Sequence, residues 1–260
     1  MAPLAPPPAP ARRRPMAVRL LVLCGMLVLL APAADAQPVR VGVRLGPSFG
    51  FLNDSATPFV SSPGKTEART NVRLDLQGGL HAIVPVGRHL AVQPELLFVQ
   101  KGGHLSRVGP EVYAAERYRL SYLQAHLLGR RALPLPGALS LHAVAGLTGA
   151  VATGGVVHRV VRRPDLERTE RIPLLEQGLA RRWDVGGLVG VGLGYPVGAG
   201  RSLVLSLRYN PGFRTLFTSR ERPADRQAVD GAEPPPLTRT PPPLRHDVIL
   251  VSLAYTWPVR

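Results

Sequence analysis

Residues 72–101, VRLDLQGGLHAIVPVGRHLAVQPELLFVQK, leave the chain few choices of fold. Val72, Leu74, Leu76, Leu80, Ala82 and Val84 share one parity, and Arg73, Asp75, Gln77, Gly79 and His81 share the other. A period of two marks a strand whose two faces meet different surroundings. Pro85-Val86-Gly87-Arg88 turns the chain back, and the next segment sets Leu90, Val92, Leu96 and Phe98 against Gln93, Glu95 and Lys101. The stretch predicts an antiparallel hairpin with one charged and one aliphatic face.

The same alternation recurs along the chain. Residues 39–45 place Val39, Val41, Val43 and Leu45 opposite Arg40 and Arg44. Residues 117–131 place Leu123, Ala125 and Leu127 opposite Gln124 and His126, but Tyr118, Leu120 and Tyr122 fall on the polar parity, which suggests a bulge. Segments 138–154, 183–197, 202–217 and 247–257 complete the set, giving eight strands with the hairpin. In the sixth, the polar parity carries glycines 186, 190, 192 and 194, which leave room for long side chains opposite, with Arg73, Glu95 and Arg208 as candidates. Pro94 and Pro211 cannot donate to a ladder, and in a sheet without edges each should mark a bulge.

Short connections at 85–88, 133–137 and 198–200 alternate with long ones at roughly 52–69, 102–116, 155–182 and 218–245. Eight antiparallel strands with this layout predict an all-β, up-and-down transmembrane barrel with short periplasmic turns, long extracellular loops and both termini periplasmic. The interior of an eight-stranded barrel is only wide enough for side chains, so the aliphatic face belongs outside, against lipid. Aromatic residues agree: Tyr195, Tyr255 and Trp257 lie at the short-turn end, and Phe49, Phe51, Phe98, Trp183, Tyr209, Phe213 and Phe217 at the long-loop end, as two interfacial belts.

The first 36 residues read as an export signal. Arg12, Arg13, Arg14 and Arg19 precede an apolar core at 20–30, and Ala34-Asp35-Ala36 is a cleavage site, leaving residues 37–260 as the barrel domain. The apolar run is shorter than the ~20 residues of a membrane-spanning helix, and no later run reaches that length. Met1–Pro15 is rich in Pro and Ala and adds little to the signal, so Met16 is a second candidate start. The single cysteine, Cys24, lies in the signal core behind Leu23, a poor context for lipidation; the mature chain then has no disulfide. Export without disulfides suits a bacterial envelope. N-terminal sequencing of the envelope fraction should begin at Gln37, or be blocked there by cyclisation; a mature chain retaining residues 20–30 would contradict this.

Arginine supplies 30 of the 32 basic residues, and the formal charge of +15 falls to +12 once the signal's four arginines and Asp35 are gone. Such a balance favours an anionic partner. No nucleic-acid partner is expected, because the arginines are scattered through strands and loops without a recognition motif. Two long loops stand out: the arginine-rich stretch at 160–171 within loop 155–182, and the proline-rich AEPPPLTRTPPPL at 232–244 within loop 218–245. Either is a candidate arm for an anionic surface partner such as lipid phosphates, set against the simpler reading of a solvated loop.

Six pieces of the chain resemble the small outer-membrane β-barrel domain of Gram-negative envelopes, often labelled "porin family protein". They are Gly42-Val43-Arg44-Leu45-Gly46, Val92-Gln93-Pro94-Glu95-Leu96-Leu97-Phe98 with Gln100-Lys101-Gly102, Leu120-Ser121-Tyr122-Leu123-Gln124, Gly190-Val191-Gly192-Leu193-Gly194-Tyr195, Leu207-Arg208-Tyr209-Asn210 and Ser252-Leu253-Ala254-Tyr255-Thr256-Trp257. The resemblance spans residues 39–257 and implies the barrel fold, residence in the bacterial outer membrane, contact with its lipids and assembly by the barrel-assembly machinery. It implies no reaction.

The chemistry-bearing residues point the same way. His81, His126 and His142 face the barrel interior by parity, but lie on different strands without ligand spacing, so they read as polar lumen residues and not as a metal site. Ser140, His126 and Asp75 are the residues from which a hydrolase could be drawn, with no local motif behind them. No catalytic, cofactor-binding or metal residue is assigned. Arg73, Asp75, Glu95, Lys101 and Arg208 are expected to pair as a lumen charge network, because an unpaired buried charge is costly. Arg44, Gln77 and His81 should help them fill the lumen. The expected function is non-enzymatic, structural or loop-mediated binding; the alternatives are a narrow diffusion pore and, behind it, a lipid-modifying enzyme.

Overall fold

The computed structural model describes residues 38–54, 67–108, 113–133, 135–164, 166–216 and 244–259. The expected signal, most of the loop expected at 52–69, Phe217 and nearly all of the proline-rich loop 218–245 lie outside them. Ten strands follow one another: β1 (Arg40–Asp54), β2 (Glu67–Asn71), β3 (Arg73–Pro85), β4 (Leu90–Val108), β5 (Tyr113–Leu133), β6 (Ser140–Arg163), β7 (Leu166–Pro173), β8 (Trp183–Gly198), β9 (Arg201–Pro211) and β10 (Leu244–Pro258). Eight of them close a wall in the order β3–β1–β10–β9–β8–β6–β5–β4 and back to β3, antiparallel throughout. β2 continues the line of β3 on upper β4, and β7 folds back on upper β6. No helix among the described residues is long and apolar enough to cross a membrane.

Burial is inverted relative to a water-soluble protein. Leu45 is 67% exposed, Leu147 66% and Leu205 56%, while Glu95 is 5% and Arg208 2% exposed. Aliphatic side chains on this scale facing outward around a closed wall need hydrocarbon against them. Tyr195, Phe98, Trp183, Tyr209 and Phe213 stand on this outer surface near its two ends. At the short-turn end Arg40 pairs with Pro258, so the first and last strands meet there. Tight turns join the wall at the same end; the one after β8 runs through Gly198, Ala199 and Gly200, all at positive φ. Glycine takes that backbone without steric cost, which is why two of the three residues are glycine.

Several expectations need correction. The stretches 102–116 and 155–182 are not simple loops: β4 and β5 stay paired from Gly102↔Arg119 to Val108↔Tyr113, and β6 runs to Arg163 with β7 beside it. Above the bilayer a strand has no lipid face, so the aliphatic parity that reveals it in sequence disappears. β1 passes through Gly46-Pro47 to Asp54, and β9 stops at Pro211 rather than at 217. Neither Pro94 nor Pro211 makes a bulge. Beside Pro94 two rungs between β3 and β4 are missing while the register holds, from His81↔Glu95 to Val84↔Val92. Pro211 pairs in register with Asp247 at the strand end. The bulge expected near Tyr118–Tyr122 is present at Ser121/Tyr122, but its extra residue is Thr153 of β6. Tyr118, Leu120 and Tyr122 therefore keep the polar parity and point inward, each at most 3% exposed.

Candidate functional site

The barrel interior is built around one carboxylate. Glu95, on β4, sits across from Arg208 of β9, whose Nη1 donates to Oε2 at 2.7 Å, and Arg44 of β1, whose Nη2 lies 3.4 Å from Oε1. Gln93 Nε2 donates to Oε1 at 2.6 Å, and His126 Nδ1 lies 3.1 Å from Oε2. Arg44 also donates to Ser206 and Ser252, and Arg130 to Gln93, so β10 joins β1, β4, β5 and β9 in holding the same cluster. The side chains of Glu95, Arg44, Arg208 and His126 are at most 1% exposed. Two guanidinium groups directed at one carboxylate offset the cost of burying all three charges.

Glycines make the space for this packing. A Cβ on Gly190 would stand 2.6 Å from Arg208 Cγ, and one on Gly192 would stand 2.4 Å from the His142 ring. The inward glycines of β8 thus face Arg208, as expected, and His142, but neither Glu95 nor Arg73. Gly192→Ala should cost about 1–3 kcal/mol, because the imidazole has little room to retreat. Adding His142→Ala should return part of that loss. Urea unfolding in lipid vesicles measures both variants, and strictly additive costs would mean that the ring does not occupy the space.

Along the barrel from Glu95, apolar side chains take over. Leu97, Val99, Leu128, Val144, Leu188, Val248 and Leu250 form one buried cluster in the lumen. Beyond it Lys101 pairs with Asp184 at 3.2 Å and lies over the Tyr122 ring at 5.2 Å. Arg73 pairs with its strand neighbour Asp75 at 2.8 Å. The five expected network residues thus all point inward, but in three separate groups, with Asp184 as an unexpected member.

The extracellular mouth is covered by the segment after β7. Leu174 and Ala180 pack with Tyr118, Leu120, Tyr122, Ala152 and Leu216 in a second buried cluster. Leu174 N donates to Gly155 O at 2.9 Å, Ala152 N to Arg182 O at 2.8 Å and Arg181 N to Leu216 O at 2.9 Å, tying the segment to β6 and to the chain beyond β9. Between these ties lies a pocket of about 300 Å³ lined by Arg181, Arg182, Arg214, Leu175, Ala180 and Trp183.

The residues weighed for chemistry are kept apart. Ser140 donates to Gly194 O, His126 faces Glu95 and Asp75 is held by Arg73, so the structure assembles no triad from them. His81 lies over Gly42 and His142 over Gly192. Among the described residues no three His, Cys, Asp or Glu side chains gather as metal ligands.

A family model described as "Outer membrane protein beta-barrel domain" matches residues 34–218. The chain belongs to this family. It is a protein of the bacterial outer membrane, and the apolar outer face of its eight-stranded wall is the face that meets lipid. No curated protein matches the chain. Among solved structures it is similar to Ail, the attachment invasion locus protein of Yersinia pestis, at 9% identity and TM-score 0.32, covering 85% of this chain and 100% of that one. It is similar to OprG from Pseudomonas aeruginosa at 11% identity and TM-score 0.38, covering 86% and 98%. The outer membrane protease OmpT from Escherichia coli matches at 9% identity and TM-score 0.41, covering 86% and 97%. Likeness this distant says nothing about what this outer-membrane barrel does.

The candidate arm at 160–171 looks different in this barrel from how it reads in sequence. Arg162 pairs with Glu167 at 2.9 Å and Arg168 with Glu170 at 2.7 Å, within the β6–β7 hairpin, and Arg159 pairs with Glu116. Two of the hairpin's arginines are thus neutralised within it and a third by β5. Arg182 and Arg214 have no such partner among the described residues. Sequence reading includes Arg182 in a long loop but misses Arg214, since nothing local shows that residues 32 positions apart wall one pocket.

Proposed function

We propose that this outer-membrane barrel is non-enzymatic and acts through its extracellular surface, as a structural or binding component of the envelope, with its lumen sealed. One observation carries the reading. At the level of Glu95 the inward side chains of β1, β4, β5 and β9 join in one ion-paired cluster with almost no exposure, where a diffusion pore would have water against its lining. The apolar cluster beyond it and the covered mouth add two further obstructions. The separation of Ser140, His126 and Asp75 supports the non-enzymatic half.

Liposome swelling tests this. Vesicles carrying the refolded barrel should swell in small sugars no faster than empty vesicles. Swelling that slows with increasing sugar size would replace the reading with a narrow diffusion pore. Altered lipid composition on overexpression would replace it with a lipid-modifying enzyme.

A further inference from the structure

The pocket between β8, β9 and the covering segment has the composition of an anion site at a membrane interface. Arg181, Arg182 and Arg214 line one cavity, with Leu175, Ala180 and Trp183 beside them. Its walls are fixed by main-chain bonds: Arg181 N to Leu216 O and Ala152 N to Arg182 O. Ala180 and Leu216, just beneath, belong to the buried cluster of the mouth, so the cavity has a packed floor. Trp183 begins β8 on the lipid-facing parity and is 45% exposed; Phe213, near Arg214, is 53% exposed. An outward tryptophan at a strand end marks the headgroup level of the bilayer. Arg182 and Arg214, both exposed, thus stand at the height of the outer leaflet's headgroups.

The chemistry narrows the ligand. A guanidinium presents a planar fork that matches phosphate bidentately, and is the usual choice where phosphate is recognised. The contrast with Arg162 and Arg168 of the β6–β7 hairpin strengthens this: those two neutralise glutamates, whereas Arg182 and Arg214 meet no acid among the described residues. The cavity, about 300 Å³, lies at the small end of ligand pockets, enough for a headgroup but not for acyl chains. Those chains would run down the outer face, along Trp183, Val185 and Phe213.

We propose that this pocket binds a phosphate group carried by a lipid of the outer leaflet, Arg182 and Arg214 gripping the phosphate while the acyl chains lie against the aromatic rim. The proposal rests on the reading of this barrel as a surface binder and supplies the ligand class for it.

The test is a titration of the refolded full barrel in phosphatidylcholine nanodiscs with three probes: diphosphoryl lipid A, fully dephosphorylated lipid A and inorganic phosphate. The diphosphoryl form should bind at least about tenfold more tightly than the dephosphorylated one. That preference should shrink with rising salt. Arg182→Gln/Arg214→Gln should abolish it, while Arg182→Lys/Arg214→Lys, which keeps the charge and loses the fork, should retain a reduced preference. Arg162→Gln/Arg168→Gln removes the same charge from the hairpin and should leave the preference intact. Heat-resistant gel mobility identifies folded samples, so a loss confined to misfolded protein does not count. Equal binding of the two lipids, or an equal loss in the hairpin variant, overturns the proposal. Inorganic phosphate binding as tightly as the lipid overturns the lipid assignment, since the acyl contacts would then contribute nothing. A barrel that passes sugars would defeat the surface-binder reading and leave this titration standing; a sealed barrel without phosphate preference would defeat the pocket alone.

Discussion

Glu95→Ala should cost the folded barrel about 3–5 kcal/mol, the range for breaking a buried ion pair by deleting one partner. The loss follows from what stays behind. Arg208 and Arg44 both direct guanidinium groups at this carboxylate, and both side chains are 1% exposed. Without Glu95 two cations remain inside the wall with serine hydroxyls near Arg44 but no acid beside them. Gln93 and His126 lose their shared acceptor as well. Removing the charge on both sides should be gentler: Glu95→Ala/Arg208→Leu is expected to lose less than the two single costs combined, because one stranded cation disappears with the acid. Reversible urea titrations in lipid vesicles, followed by tryptophan emission, read these differences. A cost under about 1 kcal/mol for Glu95→Ala would mean that water reaches the cluster and solvates the arginines.

Leu205→Arg should destabilise the barrel by about 2–4 kcal/mol, the depth-dependent cost of placing a charge on the lipid face near the midplane. Leu205 is central in β9, pairs with Leu253 and Leu193 on the neighbouring strands and points outward. Arg208, three residues on, faces the opposite way and serves as its control. Arg208→Leu introduces no charge into lipid, but leaves Glu95 with Arg44 alone as its cationic partner; its cost should be independent of bilayer depth, unlike that of Leu205→Arg. Refolding into vesicles of increasing thickness separates the two, since only the lipid-facing charge responds to bilayer depth. Equal and negligible costs would invert the assigned faces.

The two faces are legible in sequence because lipid and lumen impose opposite demands on alternate residues. Leu74 and Asp75, or Leu207 and Arg208, report their surroundings without any tertiary information. The same logic fails where both demands coincide. In Leu96-Leu97-Phe98-Val99 every residue is apolar, so the inward parity of Leu97 and Val99 follows only from Glu95 and Lys101 on either side, and nothing local reveals that the two join a buried apolar cluster. It fails again above the bilayer, where the continuation of β4 through His104 and of β6 through His158 has no lipid face to display. The ion-paired lumen was readable as a set of residues but not as a set of pairs: Arg73 takes its own neighbour Asp75, and Lys101 takes Asp184 from across the barrel. Pairing depends on stagger between strands, which alternation does not encode. The pocket is the extreme case, because Arg182 and Arg214 are brought together by main-chain bonds of a segment without secondary-structure periodicity.

Single-channel recording in planar bilayers tests the sealed lumen most directly. The wild-type barrel should give no reproducible conductance steps at voltages that leave the membrane intact, and Glu95→Gln should introduce brief, irregular openings as the cluster loosens. Long-lived wild-type steps of uniform size, with an ion selectivity that changes when Glu95 or Arg73 is neutralised, would contradict the account and make the lumen the working part of the molecule.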